Sequence, residues 1–265
     1  MKIYLSADIE GVTGTTHWDE TEIKFPDYGD FREQMTAEVA AACEGALQAG
    51  ASEVWVRDAH HSARNIIAGS LPEQTRLVRG WAGHPYMMME QLDGSFQAAV
   101  MIGYHARAGS TANPLSHTIT TKISTIKING LYASEFMLNA YTAALTGVPV
   151  VFVSGDAGLC EEAAALIPAI SHVAVKTGCG DSTINLHPQV ALEKIRAGVQ
   201  QALAGDLSKC RLELPSHFSV EIRYKEMRHA YSSSFYPGAR LLDTHAIGFE
   251  SDDYFDVLRL VSFTL

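Results

Sequence analysis

Asp8 and Glu10 stand two residues apart where the chain's first apolar run ends, in the stretch Ser6-Ala7-Asp8-Ile9-Glu10-Gly11. Ile3, Tyr4 and Leu5 favour a strand before them. Side chains along a strand alternate faces, so the two carboxylates point the same way. Held side by side in an apolar setting they repel, and need a cation, a shared proton or solvent. Gly11 and Gly14 then let the chain turn without blocking access. Taken alone, the pair is equally well explained as a solvated acidic turn.

Two more strand-like segments end in imidazoles. Residues 53–58 (Glu-Val-Trp-Val-Arg-Asp) run into Ala59-His60-His61-Ser62, and the apolar residues 98–103 run into Tyr104-His105-Ala106. Singly, His60 reads as a surface-loop histidine and His105 as a packed one. Together with Asp8 and Glu10 they occupy three strand ends in the first half of the chain. In open α/β sheets ligands bind outside the carboxyl ends of the strands, which puts all three on one rim. Carboxylates with imidazoles suit Zn²⁺, then Mn²⁺ or Co²⁺. One imidazole per ion with several carboxylates suits two adjacent ions, because a carboxylate bridges two metals and an imidazole does not. A metal pair of this kind activates water and polarises a carbonyl, which is the chemistry of hydrolysis.

The elements that must position these groups follow from periodicity. Met35, Val39, Ala42 and Ala46 recur at helical steps over 31–48, and Gly50 supplies a C-terminal stop. A strand, a helix and a strand in this order predict a right-handed βαβ unit. A short strand over 75–79 and a helical piece over 85–92 follow. Residues 98–103 are apolar throughout, as in a strand buried on both faces. Further on, 120–129 reads as a strand ending in the turn Asn129-Gly130, and Ser134 caps a helix over 135–145. A buried strand is expected over 148–154, helices over 158–167 and 188–203, and a strand over 172–176. Residues 218–223 and 244–250 are strand-like and 252–261 helical. The expected architecture is a single domain over 1–265 of the α/β class. Its sheet is mostly parallel, open and flanked by helices, with a smaller C-terminal α+β part at 205–265.

Bulk properties exclude some functions. The formal net charge is -10 with no basic block, which argues against nucleic-acid and anionic-membrane partners. No apolar stretch is long enough to span a bilayer, and the apolar start is too short for a signal peptide. Cys43, Cys160, Cys179 and Cys210 form no C-x-x-C, so reduced thiols and a cytoplasmic location are expected.

Ser6-x-Asp8-x-Glu10-Gly11 and Gly103-Tyr104-His105-Ala106-Arg107-Ala108 together resemble the M55 metallopeptidases, the D-aminopeptidases of the dipeptide-transport operon type. The resemblance extends through Asp58-Ala59-His60, Ser116-His117, Glu135 with Leu138-Asn139-Ala140-Tyr141, and Val153-Ser154-Gly155-Asp156, and thins after residue 180. It implies two zinc ions per chain. Asp8 would bridge them, Glu10 and His60 would complete one site, and His105 and Glu135 the other. His117 matches the family's catalytic histidine. By spacing alone Glu135 is no more than a helix-start acid. The resemblance further implies an aminopeptidase acting on short peptides, of D configuration at the N-terminal residue, in a ring-like homo-oligomer, a decamer. Two departures stand out. The segment between His105 and His117 carries one residue more than the family pattern, near Ala112-Asn113, and His61 rivals His60, which register favours.

Other readings of the same residues are a different metal-dependent amidohydrolase or phosphatase, or a non-catalytic metal- or peptide-binding module. Asp58 is a candidate partner of His60. Arg107 and Asn139 read as structural, Lys176 as a surface lysine, and the remaining histidines as surface or packing residues. Gly178-Cys179-Gly180 reads as a turn.

Overall fold

The computed structural model describes residues 1–265. A seven-stranded sheet is built from strands between residues 2 and 185. It comprises β1 (Lys2–Ala7), β2 (Glu53–Asp58), β3 (Thr75–Val78), β4 (Ala98–Tyr104), β7 (Val150–Asp156), β8 (Ser171–Cys179) and β9 (Ser182–Asn185), in the order β3-β2-β1-β4-β7-β8-β9. Every pairing in it is parallel except β8 with β9. β4 and β7 are buried along their whole length, as the apolar runs 98–102 and 150–153 within them require of central strands.

The chain leaves β1 in one direction through β2 and β3, and builds β4, β7 and β8 on β1's other edge. The switch point between β1 and β4 opens a crevice at their carboxyl ends, and Asp8 and His105 follow those two strands directly. The βα connections pack helices on both faces. α1 (Tyr28–Gln48) and α4 (Pro188–Ala204) lie together on one, and α2 (Glu135–Leu145) and α3 (Ala157–Leu166) on the other.

The second sheet is antiparallel, in the order β11-β12-β10-β5-β6. β10 (Phe218–Tyr224), β11 (Arg240–Asp243) and β12 (Ala246–Ser251) come from the C-terminal region. β5 (Ile123–Ile128) and β6 (Leu131–Tyr132) come from mid-chain. The antiparallel part therefore draws on residues before 205 as well as after. Asn129 and Gly130 both take positive φ, 51° and 81°, and close the β5–β6 hairpin. α5 (Met227–Ser233) and α6 (Tyr254–Thr264) complete this part. The expected helical piece over 85–92 is shorter, a single turn at Met87–Met89.

α2 joins the two cores. Phe136, Ala140 and Ala143 pack into the parallel-sheet core, while Met137, Leu138 and Tyr141 pack into the antiparallel one. Three-to-four-residue spacing of apolar side chains on both sides makes this helix buried nearly all round. Ser134 caps it, accepting from Met137 N. Its first residue, Glu135, is thus held where the two parts of the molecule meet.

Candidate metal centre

The rim is packed tightly enough to fix its acids. Asp8 N donates to Ile102 O (2.9 Å) and Gly11 N to Gly103 O (2.8 Å), tying the loop after β1 to β4. A Cβ on Gly11 would sit 1.7 Å from Tyr104 O, so glycine is required there by close approach. Gly103 has φ +70°, and a Cβ on it would lie 2.2 Å from Asp8 O.

Asp8, Glu10, His60, His105 and Glu135 converge. All five are buried. His60 Nδ1 lies 3.2 Å from Asp8 Oδ1 and 3.0 Å from Glu10 Oε2. His105 Nε2 lies 3.6 Å from Asp8 Oδ2 and 3.3 Å from Glu135 Oε2. Asp8 thus turns one oxygen to each imidazole. Donor atoms around one tetrahedral zinc lie about 3.3 Å apart, given bond lengths of about 2.0–2.1 Å. The separations here straddle that value. Glu10 Oε2 and His105 Nε2 are buried with no hydrogen-bond partner, as atoms intended for an ion would be.

Each imidazole is anchored on its outer side. His60 Nε2 donates to Thr21 O (2.8 Å) and His105 Nδ1 to Ala106 O (2.9 Å). These bonds leave Nδ1 of His60 and Nε2 of His105 to face the acids, the arrangement that fixes tautomer and ring orientation in metal-binding histidines. His61 has positive φ (45°) and an exposed side chain, and reaches none of the acids. Of the two neighbouring histidines, only His60 enters the cluster.

His117 stacks on His105, ring centroids 4.3 Å apart and planes 13° from parallel. Its Nδ1 donates to Leu115 O (2.9 Å), and its Nε2 lies 3.6 Å from Glu135 Oε1. Donor atoms of His105, His117 and Glu135 fall within 4.8 Å of one another, as do those of Asp8, Glu10 and His105. The inserted residue near Ala112-Asn113 does not displace His117 from the site. Ala112 O accepts from Gly178 N (3.0 Å), and Asn113 Nδ2 donates to Glu10 O (3.0 Å).

The electrostatics are those of buried acids and imidazoles acting on one another. Burial pushes the Asp8 carboxyl up to about 8, and Glu10 beside it acts in the same direction. Burial would raise Glu10 too, but His60 outweighs it and holds Glu10 well below the usual carboxylate range. Burial works against a charged His105, yet Glu135 and Asp8 lift its pKa to about 10. Burial likewise opposes a charged His60, and Glu10 and Asp8 carry it well above the histidine range. Glu135 is drawn down to about 2 by His105 and His117 against its own burial. His117 is lowered, by burial first and then by the positive His105. Protons on His60 and His105 balance the buried acids of the metal-free chain.

Sequence reasoning missed the supports beneath the cluster. Lys176 is buried, not at the surface, and its Nζ donates to the carbonyls of Glu10 and Thr15. Burial lowers its pKa to about 8. Asp156 caps α3 through Leu159 N (2.9 Å) and accepts with its other oxygen from Ala106 N (2.8 Å) and Asn113 Nδ2 (3.1 Å). The loops bearing Glu10 and His105 therefore share one buried hydrogen-bond network. Asp58 accepts from Asn65 N, Asn65 Nδ2 and Ile66 N, so it shapes the loop after His60 and leaves that ring to Thr21. Arg107 pairs with Glu162 (3.1 Å), and Asn139 donates to Tyr104 Oη (3.0 Å); both are structural.

A cavity of about 880 Å³ opens beside the cluster. Trp18, Trp81, Met87 and Ile119 give it apolar walls. Trp18 meets His117 edge-on at 5.4 Å, and Arg57 stacks 4.1 Å from the Trp81 ring while pairing with Glu90 (3.2 Å). His84 also lines this cavity. No helix of the chain is long and apolar enough to cross a membrane.

A switch-point crevice with clustered acids and imidazoles beside an open cavity is the arrangement of a metal-dependent α/β hydrolase. Comparison with known proteins narrows this. Residues 1–263 match the model of the M55 peptidase family, described as D-aminopeptidase. A D-aminopeptidase of Bacillus subtilis is 30% identical over 261 residues, covering 98% of this chain and 94% of that protein. A solved structure, the Zn-dependent D-aminopeptidase DppA from Bacillus subtilis, described as a self-compartmentalizing protease, superposes with a TM-score of 0.91 at 28% identity. It covers 98% of this chain and 95% of its own. The chain belongs to the M55 peptidase family, and the likeness implied by its motifs extends across its whole length.

Proposed function

We propose that this protein is a zinc-dependent aminopeptidase with a dinuclear site, releasing the N-terminal residue, of D configuration, from short peptides and amino-acid amides. The observation that carries this reading is the divided Asp8 carboxylate, with Oδ1 beside His60, which also meets Glu10, and Oδ2 beside His105. Two donor groups meeting at one shared acid fit two ions. In this assignment Glu10 and His60 complete one zinc site, and His105 and Glu135 the other. Zinc bound there would supply a Lewis acid and a water acidic enough to ionise near neutrality.

The rest of the chemistry falls to side chains. His117 lines the cavity with its outer nitrogen anchored on Leu115 O, so Nε2 is free to hold or pass a proton. Its lowered pKa keeps the ring neutral near pH 7, so it can take a proton and then deliver it to the leaving amine. Trp18 and Ile119 give the cavity apolar surface beside it. An open cavity next to the donors suits turnover better than a closed structural metal site would.

The zinc dependence and D-specificity of the relatives support the same reading. Four unpaired cysteines accord with a reducing cytoplasm. A ring-like homo-oligomer, a decamer, fits the exposed apolar side chains on the antiparallel part, Phe235 at 71% and Phe263 at 75% among them. The test is a panel of D- and L-aminoacyl amides and dipeptides assayed with zinc present. Cleavage of the D series is expected. Cleavage of p-nitrophenyl phosphate with no peptide hydrolysis would overturn the reading, and a monomeric mass in sedimentation would remove the assembly.

A further inference from the structure

The cavity has a second wall that the metal cluster does not explain. It comes from the antiparallel part and its approach: Thr120, Thr121, Lys225, Val261 and Ser262. The acids lining the cavity are Asp8, Glu10, Glu22, Glu90 and Glu135, and Lys225 is the single lysine or arginine among the lining residues. Two of the acids have partners of their own, Glu22 with Lys24 (2.5 Å) and Glu90 with Arg57 (3.2 Å). Lys225 follows β10, and its backbone N–H donates to Lys122 O (2.9 Å), which fixes the corner. Its ammonium enters no hydrogen bond or ion pair of the chain. Lys122, beside it, instead reaches Leu265 O (3.4 Å) and does not line the cavity.

We propose that Lys225 receives the free C-terminal carboxylate of the substrate, so that the preferred class is short peptides with an unblocked carboxyl end. The inference rests on the aminopeptidase reading and deepens it. An unblocked peptide carries an ammonium at one end and a carboxylate at the other. At the donor end the zinc ions of the proposed site offset Asp8, Glu10 and Glu135, and Glu22 and Glu90 are paired within the chain, so that end is committed and the substrate's carboxylate is left to the opposite wall. A carboxylate in a confined space is stabilised by a cation, and Lys225, exposed and with no partner for its ammonium, is the lysine on the wall contributed by the other part of the fold. Successive Cα atoms are about 3.8 Å apart, so a cation at a set place on that wall also measures peptide length.

The test compares kcat and KM of the zinc-loaded protein on D-alanyl-D-alanine and on its C-terminal amide. Wild type, Lys225→Met, Lys225→Arg and Lys122→Met are measured together. Wild type is expected to prefer the free acid. Lys225→Met should lower that preference about tenfold, the scale of one charge-assisted hydrogen bond, with the change in KM. Lys225→Arg should recover most of it, and Lys122→Met should keep the wild-type ratio. An unchanged ratio in Lys225→Met, or an equal fall in Lys122→Met, would overturn the inference while peptide cleavage still upheld the aminopeptidase. Failure of wild type to cleave either compound would end both.

Discussion

Asp8→Ala is expected to lose zinc and to lower peptide hydrolysis by three orders of magnitude or more. Asp8 pairs with both imidazoles within 4 Å, through separate oxygens. Removing it leaves Glu10 with His60 and Glu135 with His105, two donors for each ion. Zinc sites in proteins ordinarily keep three or four protein ligands, so neither half-set should retain its metal. Several kcal/mol of barrier lowering depend on the metal, which converts to about a thousandfold or more in rate. Zinc should also raise the unfolding temperature of wild type and leave that of the variant unmoved, because a ligand stabilises only a fold that binds it. Metal analysis, rate and thermal unfolding thus report separately. An Asp8→Ala protein that kept full zinc would take Asp8 out of the metal centre.

His117→Ala should do the reverse, keeping its zinc and losing about 10²- to 10⁴-fold in kcat, the usual worth of a positioned acid–base group. The ring lines the cavity and is 14% exposed, whereas His105 behind it is wholly enclosed. The Leu115 carbonyl fixes which nitrogen faces the acids. His117 nonetheless lies close enough to His105 and Glu135 to share an ion with them. The two roles separate cleanly. Loss of one zinc from His117→Ala would make it a ligand, and unchanged turnover would remove it from the chemistry.

Much of the site was legible in the sequence because strands declare themselves. The apolar runs of β1, β2 and β4 are short and sharply ended, so Asp8, His60 and His105 could be placed on a common rim by alternation and the switch-point rule. Glu135 was legible only through family resemblance. Its place depends on α2 bridging two cores, and no local pattern reveals which helix does that. The second sheet was half visible. β10 and β12 read as strands, but β10's second partner, β5, lies more than ninety residues earlier, a pairing that periodicity cannot supply. Lys176, Asn113 and Asp156 were missed as supports because their role is to satisfy backbone groups of distant loops. Lysine near a strand end ordinarily reads as solvent-exposed. Only the packed structure puts its ammonium under the Glu10 carbonyl.

Zinc titration of the metal-free protein by calorimetry, in buffers of different ionisation enthalpy, tests the central claim most directly. Two equivalents are expected to bind, with protons released. His60 and His105 carry raised pKa values without metal, His105 at about 10, so at neutral pH zinc must expel protons to reach their nitrogens. Apparent affinity should therefore rise with pH, about tenfold per unit for each proton displaced. A protein that takes up no zinc, or a single equivalent with no proton release, would contradict the paired-metal centre.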